Sequence, residues 1–177
     1  HRRQQVWQSA ALHRAPRLLQ HAPVHEAPLA LPTASEAEAL GWDYQATGLS
    51  LGRHPLALLR AELARRHIFS AEQLQAVPGR RRVQACGLVT VRQRPGTAKG
   101  TVFVTLEDET GVVNVIVWAP VVAEQREALL GSRLMAVDGL WQREGEVCHL
   151  VARRLHNLNA LLDQTLGAMR PRSRDFH

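Results

Sequence analysis

The sequence predicts a mainly β domain with flanking helices, of the α+β class. Apolar and polar residues alternate in five short runs between residues 80 and 157, a period typical of half-buried strands. The segments on either side carry leucines at helical spacing instead. Hydrophobic residues make up 45% of the 177 residues, which is normal for a globular protein and argues against general disorder.

The part of the chain before the strands is predicted to be a connector. Residues 1–20 have the composition of a helix end but are too short to fold alone. Residues 21–34 hold three prolines, a density that favours an extended linker. Thr33 and Glu36 have the spacing of a capping box and predict a short helix. Residues 48–55 are rich in turn formers.

Two helices are predicted between this connector and the first strand. Pro55 suits the first position of a helix, and leucines follow it at an i, i+3, i+7 spacing over residues 56–66. Ser70 and Gln73 have the spacing of a second capping box, which predicts a brief helix before residues 77–79.

Three residues with reactive side chains are expected to be structural. His54 precedes the first of these helices without a neighbouring carboxylate or cysteine, and catalysis requires a partnered histidine. Cys86 and Cys148 lie in apolar runs with no metal-ligand spacing. They are therefore predicted to be buried thiols in a protein of a reducing compartment.

The five predicted strands each have an inward and an outward face. They cover residues 83–92, 102–107, 113–118, 133–143 and 147–154, with turns at 109–111 and 144–146. The inward residues are Val83, Ala85, Gly87, Val89 and Val91 in the first strand, Val102, Val104 and Leu106 in the second, and Val113, Val115 and Val117 in the third. Gly87 predicts a bulge or sharp bend. Helices are expected over residues 120–130 and 158–169.

The predicted order of elements, five strands with a helix between the third and the fourth, is that of the OB-fold, a Greek-key barrel. Such barrels bind oligonucleotides on the face of strands 2 and 3 and through the loops joining strands 1–2 and 4–5. The predicted regions are a helix end at 1–20, a Pro-rich linker and helical connector at 21–79, the OB-fold domain at 80–157, and a helix with a basic tail at 158–177.

The charge balance favours a polyanionic partner. Lys and Arg number 22 against 16 Asp and Glu, giving a formal net charge of +6. Nucleic acid is the simplest such partner, and a solubilising surface is the alternative. The excess of positive charge is concentrated at residues 80–99, before and within the loop joining strands 1 and 2. This range contains no carboxylate and six cations: Arg80, Arg81, Arg82, Arg92, Arg94 and Lys99.

Seven residues are candidates for contact with single-stranded nucleic acid. Cations and free backbone N–H groups bind phosphates, and aromatic faces stack bases at roughly 1–3 kcal/mol each. The cations are Arg92, Arg94, Lys99 and Arg143, and the aromatic residues are Phe103, Trp118 and Trp141. For the two tryptophans, packing in the core or at the rim of the barrel is the alternative.

No catalytic or metal-binding residue is predicted. Residues 107–109 are all acidic, but neighbours in a strand point to opposite faces and do not converge on a metal ion. Asp108 is expected to hold the turn at Gly111 instead. The five Asp are too scattered for a two-metal centre, and a Gly-x-x-x-x-Gly-Lys phosphate loop is missing. An independent small enzyme therefore finds no support in the sequence.

Several runs resemble a known family. DYQATGLSLGRHP at residues 43–55 is similar to the connector of bacterial C-family DNA polymerases, the relatives of the DNA polymerase III alpha subunit. The runs RQRPGTAKG at 92–100, LEDETG at 106–111, QREG at 142–145 and SRDFH at 173–177 resemble the damage-inducible, error-prone branch of that family and its C-terminus. The resemblance covers about the whole chain.

The resemblance implies a DNA-directed DNA polymerase, a nucleotidyltransferase acting in translesion synthesis and damage-induced mutagenesis. Its Mg²⁺-dependent catalytic domains would lie upstream, and this chain would hold no cofactor. Residues 1–20 would end a helix-hairpin-helix region, and the OB-fold would bind the single-stranded DNA template. Residues 120–130 vary within the family and carry no transferable role.

The resemblance also implies partners and a location. The partners would be the sliding clamp, a catalytically inactive Y-family polymerase homologue and a RecA-like accessory protein, in the bacterial cytoplasm at the nucleoid. An alternative function is a docking module that recruits such accessory proteins through the helix at residues 158–166 or through the tail. In that case the DNA affinity of the basic face would be incidental.

Overall fold

The computed structural model describes residues 52–166, together with residues 35–37, 40, 41 and 43. The predictions for residues 1–34, among them the helix end and the proline linker, lie outside the described residues, as does Thr33. The same holds for residues 44–51 and for the tail at 167–177. The described residues 36, 37, 40, 41 and 43 are helical, in agreement with the short helix predicted to follow Thr33. Within the described residues, no helix has the length and apolar character needed to cross a membrane.

The centre of the molecule is a closed barrel of five strands in the order β1-β2-β3-β5-β4. The strands are β1 (Arg81–Gln93), β2 (Val102–Asp108), β3 (Gly111–Val117), β4 (Leu134–Glu144) and β5 (Val147–Asn157). All neighbouring strands pair antiparallel except β3 and β5, which run parallel. This is the predicted mainly β architecture, and the OB-fold order is confirmed.

Short helices surround the barrel within the described part of the chain. They include α1 (Pro55–Arg65), α2 (Ala71–Gln75), α3 (Ala119–Glu124), α4 (Arg126–Gly131) and α5 (Asn159–Thr165). The single helix predicted over residues 120–130 is in fact two, because Gln125 leaves the helical region with φ −123° and ψ 33°. Its side chain bonds β5 instead, accepting from the Leu155 N–H at 2.7 Å and donating to the Arg153 carbonyl at 3.0 Å.

Local capping explains where the first two helices begin. The Gln73 N–H donates to Ser70 Oγ at 3.2 Å, and the Ser70 N–H donates to Gln73 Oε1 at 2.9 Å, so the predicted capping box is confirmed. At α1, Nδ1 of His54 accepts from the Leu56 N–H at 3.2 Å, and Pro55 follows as the first helical residue. His54 thus has the structural position expected for it.

The strands separate two hydrophobic cores. The predicted inward residues of β2 and β3 all line the buried barrel interior with Trp141 and Leu150. The opposite side of β1 and β4 is also buried, because α1 and α5 cover it with leucines. This second core contains Leu56, Leu59, Leu63, Cys86, Leu134, Ala136, Leu162 and Leu166. The leucine stripes predicted for both helices therefore face the barrel.

Gly87 has a different role from the predicted bulge. The register of β1 against β2 shifts between Val89 and Val91, two residues further along. After the shift Val91 is 40% exposed rather than inward. Gly87 lies where β2 approaches closely, since a Cβ there would stand 2.8 Å from Glu107 N and from Leu106 Cβ. The glycine allows this close approach.

Candidate nucleic-acid interface

The loop between β1 and β2, residues 94–101, is a compact turn. The Ala98 N–H donates to the Pro95 carbonyl at 3.1 Å, and the Thr101 N–H donates to the Ala98 carbonyl at 2.9 Å. Lys99 and Gly100 both have left-handed backbones, with φ of 46° and 86°. For lysine this conformation costs about 1–2 kcal/mol. The fold therefore holds the Lys99 side chain at an exposed tip despite a backbone that disfavours it.

Arg94 and Lys99 are the available cations of this loop. Both are exposed, and neither makes an ion pair or a side-chain hydrogen bond with any residue that the structure describes. The Arg94 guanidinium lies over the end of the loop, with Nη2 3.8 Å from the position that a Cβ of Gly100 would take. The two charges can therefore bind an external anion without first breaking an internal contact.

Arg92 is placed differently from the other loop cations. Its Nε donates to the Leu129 carbonyl at 2.8 Å, and its Nη2 donates to the Ser132 carbonyl. Both acceptors lie at the carboxyl end of α4, where backbone carbonyls lack helical partners. Partial burial lowers the pKa of the Arg92 guanidinium. Arg92 thus anchors α4 beside the loop, and only part of its donor capacity remains for a ligand.

The outer face of β1, β2 and β3 carries the exposed aromatic residues. Phe103, 40% exposed, pairs with Gln93 on β1 and with Ile116 on β3, so the three form one row across the sheet. Trp118 directly follows β3 and is 52% exposed. A flat ring and an indole therefore stand on the strand 2–3 face, at the end where the basic loop lies.

A second row of small side chains lies beside the first on this face. Thr105 of β2 pairs with Val91 on β1 and with Asn114 on β3. The Thr105 hydroxyl and Asn114 Oδ1 are 3.4 Å apart. Polar groups able to bond base edges thus stand next to the ring of Phe103.

Two predicted contact residues are engaged elsewhere. The Trp141 side chain is 1% exposed and packs in the barrel interior. Core packing, the alternative to base contact, is therefore observed, and the prediction that Trp141 stacks on a base was wrong. Arg143 is exposed, but its Nη1 donates to the Gln75 carbonyl at 3.0 Å and so caps the end of α2. The loop between β4 and β5 therefore offers less to a ligand than was predicted.

The structure adds a groove that the sequence did not indicate. A depression of about 230 Å³ runs between the β1–β2 loop and α4. Its lining includes Arg92, Arg94, Arg126 and the exposed Leu130. Arg126 carried no signal beyond its charge, because only the folded barrel brings α4 beside this loop.

Asp108 and Glu109, two of the three residues of the acidic run at 107–109, stabilise the fold. Asp108 Oδ1 accepts from the N–H groups of Thr110 and Gly111 at 2.7 and 3.0 Å, so its predicted role in the turn is confirmed. Glu109 pairs with the Arg60 guanidinium, whose Nη2 is 2.9 Å from Oε2, and this bond raises the pKa of Arg60. These carboxylates do not fit a Mg²⁺ site, and the described residues hold no cluster of three potential ligands.

Known proteins resemble this chain along its whole length. No protein-family model matches it. Proteins named error-prone DNA polymerase match all of the chain, at 54% identity in Azoarcus sp. strain BH72, 49% in Pseudomonas fluorescens strain Pf0-1 and 45% in Alkalilimnicola ehrlichii strain MLHE-1. The chain spans only 16% or 17% of the length of these relatives. The resemblance stated from the sequence motifs is thus confirmed.

Solved structures match about half of this chain at low similarity. Asparaginyl-tRNA synthetase from Pyrococcus horikoshii has a TM-score of 0.44 at 18% identity, over 51% of this chain and 23% of that one. The S. pombe Stn1-Ten1 complex has a TM-score of 0.38 at 19% identity, over 48% and 62%. The OB-fold assignment rests on the strand order and pairing described above rather than on these neighbours.

Proposed function

We propose that this chain, similar over its whole length to a segment of bacterial error-prone DNA polymerases, is the C-terminal single-stranded DNA-binding region of such an enzyme. The whole protein would be a DNA-directed DNA polymerase acting in translesion synthesis and damage-induced mutagenesis. The chain would hold the single-stranded template, and the Mg²⁺-dependent chemistry would belong to parts of the protein outside it.

One observation carries this proposal. The two cations of the β1–β2 loop that have no partner among the described residues, Arg94 and Lys99, stand at the edge of the face that exposes Phe103 and Trp118. Single strands are bound by this combination, because phosphates need cations and unpaired bases expose faces that stack on aromatic rings. Duplex DNA hides those faces, so the arrangement favours a single strand.

The proposed binding mode assigns each group a task. Lys99 and Arg94 bind consecutive phosphates, and Phe103 and Trp118 stack bases at roughly 1–3 kcal/mol each. Thr105 and Asn114 stand beside Phe103 and can bond base edges. Arg92 contributes indirectly, by fixing α4 and Arg126 next to the loop. Sequence selectivity would be low, since stacking accepts every base.

A role in docking accessory proteins is less well supported. Of the leucines of the helix that would serve it, Leu162 and Leu166 are buried in the second core, and Leu158 and Leu161 pack against that core and are partly buried. The tail, the other segment that would serve it, lies outside the described residues. The sliding clamp, the inactive Y-family homologue and the RecA-like protein remain proposed partners of the whole polymerase, suggested by the family resemblance.

The proposal is tested by fluorescence anisotropy with labelled single-stranded and duplex oligonucleotides. We expect preference for the single strand and an affinity that falls steeply between about 50 and about 200 mM salt. The double variant R94A/K99A should bind more weakly. The matched control R53A/R133A also removes two exposed positive charges, each held in an ion pair with a residue outside the loop, and should bind nearly as the unmodified chain does.

Two results would overturn the proposal. One is equal affinity for single strand and duplex. The other is an affinity that R94A/K99A lowers no more than R53A/R133A does, because net charge alone would then account for the binding.

A further inference from the structure

A second basic surface lies away from the candidate interface. It is an open depression of about 590 Å³ lined by residues of β1, β4, β5 and the segment after α1. Its charged and titratable lining consists of Arg66, His67, Arg82, Asp138, Arg153 and Arg154. Arg82 lies at the start of β1, whereas the β1–β2 loop follows its end. At about 3.3 Å per residue, the ends of this strand are separated by up to about 40 Å.

A β-bulge creates the cluster. The register of β4 against β5 shifts between Asp138 and Gly139, because Asp138 pairs with Arg154 whereas Gly139 pairs with Ala152. Arg153 is the extra residue. Consecutive residues of a regular strand point to opposite faces, yet both Arg153 and Arg154 line the depression. The bulge thus directs two neighbouring guanidinium groups to one site.

Gly139 allows β4 and β5 to approach each other closely next to the bulge. A Cβ on Gly139 would stand 2.3 Å from the Val151 carbonyl oxygen, which no side chain could tolerate without movement of the backbone. The glycine therefore permits this close approach of β4 to β5.

The positive charge of the depression is largely uncompensated. Arg82, Arg153 and Arg154 are exposed and have no acidic partner among the residues that the structure describes. Arg66 bonds Glu62 at 2.8 Å. The one carboxylate in the described lining, Asp138, is 2.7 Å from His156 Nε2. Three arginines that line this concave space therefore make no ion pair within the described chain, although Asp138 lies opposite Arg154 across the bulge.

We propose that this depression is a second binding site for the phosphodiester backbone of nucleic acid, on a different face from the candidate interface. Guanidinium groups bind phosphate oxygens through two parallel hydrogen bonds, and three arginines around one concavity suit successive phosphates of a nucleic-acid strand. An acidic peptide binds tightly only where a few anchor side chains fill well-packed pockets. Of the hydrophobic residues that line this site, Val83 is buried and Phe69 is only partly exposed, so they offer such an anchor little open apolar surface. The site is independent of the proposed function of the other face.

The test compares three double variants of the full 177-residue chain: R153A/R154A at the second site, R94A/K99A at the β1–β2 loop, and the control R53A/R133A. Binding is measured with a long oligonucleotide of about 30 nucleotides, which can reach both faces. Equal thermal unfolding midpoints of the variants ensure that a change in binding is not a change in folding. The single variant R82A, on another strand, is the independent check.

With the long oligonucleotide, R153A/R154A should make the salt dependence shallower. The slope of log K against log salt should fall by about 1.4, at about 0.7 per lost phosphate contact on a single strand. R82A should lower it by about half as much. If the salt slope of R153A/R154A equals that of R53A/R133A, the proposal of a second site is wrong, while the proposed function of the β1–β2 loop is unaffected. Loss of binding in R153A/R154A but not in R94A/K99A would support the second site and overturn the proposed function of the loop.

Binding of a labelled polyglutamate peptide tests whether the depression is selective for nucleic acid over an acidic protein. It should bind weakly, and R153A/R154A should change its affinity no more than the control does. If R153A/R154A weakens polyglutamate binding while leaving the long oligonucleotide unaffected, the depression binds acidic protein and the proposal is wrong.

Discussion

Asp108, the last residue of β2, accepts a hydrogen bond at 2.8 Å from the backbone N–H of Ala71, the first residue of α2. The carboxylate also accepts from Thr110, Gly111 and Arg60, so one buried side chain joins the connector helices to the β2–β3 turn. These hydrogen bonds to the Asp108 carboxylate are strong, since charge-assisted hydrogen bonds are about twice as strong as neutral ones.

Removing Asp108 should therefore destabilise the chain. Asp108→Ala leaves buried N–H groups and part of the Arg60 guanidinium without an acceptor, and we expect a loss of about 3–5 kcal/mol in the free energy of unfolding. Urea denaturation measures it. The control Asp163→Ala removes an exposed carboxylate paired with Arg133 and should cost less than about 1 kcal/mol. Similar losses in the two variants would contradict this role of Asp108.

Replacing Lys99 should separate binding from stability. Asn tolerates the left-handed backbone of this position better than Lys does, so Lys99→Asn should leave the free energy of unfolding within about 1 kcal/mol or raise it. The same change removes the exposed charge and should lower the salt slope of single-strand binding by about 0.7. Salt-dependent anisotropy and urea denaturation of one preparation give both values. An unchanged salt slope would exclude Lys99 from phosphate contact.

The aromatic residues Phe103 and Trp141 should respond in opposite ways to truncation. Phe103→Ala removes a half-exposed ring and should weaken single-strand binding by roughly 1–3 kcal/mol with little effect on folding. Trp141→Ala empties part of the barrel interior and should cost about 3–5 kcal/mol of stability. Anisotropy and denaturation measured on both variants test this. Normal binding by Phe103→Ala would remove Phe103 from the interface.

The His54 cap should make stability depend on pH. Burial lowers the pKa of His54 below its ordinary 6.5, although Glu107, Glu109 and Asp108 oppose the shift and Arg60 adds to it. Between the lowered pKa and 6.5, the unfolded chain binds more protons than the folded chain. Stability should therefore be full above about pH 6.5 and fall as the pH drops below that value.

Urea midpoints measured between about pH 7.5 and about pH 5 test this expectation against the variant His54→Asn. Asn is a strong N-cap with no titratable group, so the variant should keep α1 and lose this part of the pH dependence. An identical pH profile in the two chains would assign the dependence to other groups.

Much of the fold could be predicted from local pattern. The alternation of valines in β2 and β3 indicated the barrel interior, Ser70 and Gln73 indicated a helix start, and Asp108 indicated a turn, because each depends on near neighbours in sequence. Trp141 was predictable as well. Trp141 lies on the same face of β4 as the buried Met135 and Val137, at an even number of residues from each. This alternation predicts a buried side chain, whereas the position near the β4–β5 turn had suggested contact with a ligand.

The rest depended on contacts between segments far apart in sequence. Arg92 and Arg143 are cations like Arg94 in the sequence, but in the structure they cap α4 and α2. The burial of Cys86 depends on α1 and α5 lying over β1, and it raises the pKa of that thiol to about 12. The bulge at Asp138 follows from strand register, which alternation alone does not fix.

The parallel pairing of β3 with β5 also determines when the barrel can close during synthesis. β3 ends at Val117 and its partner begins at Val147, with α3, α4 and β4 between them. Until β5 leaves the ribosome, β3 and β4 each present an unpaired edge, and such edges invite pairing with other chains. Ring closure between distant segments is also slow, because loop entropy must be lost before the contact forms. A nascent chain stalled before residue 147 would therefore need chaperone protection that the finished barrel does not.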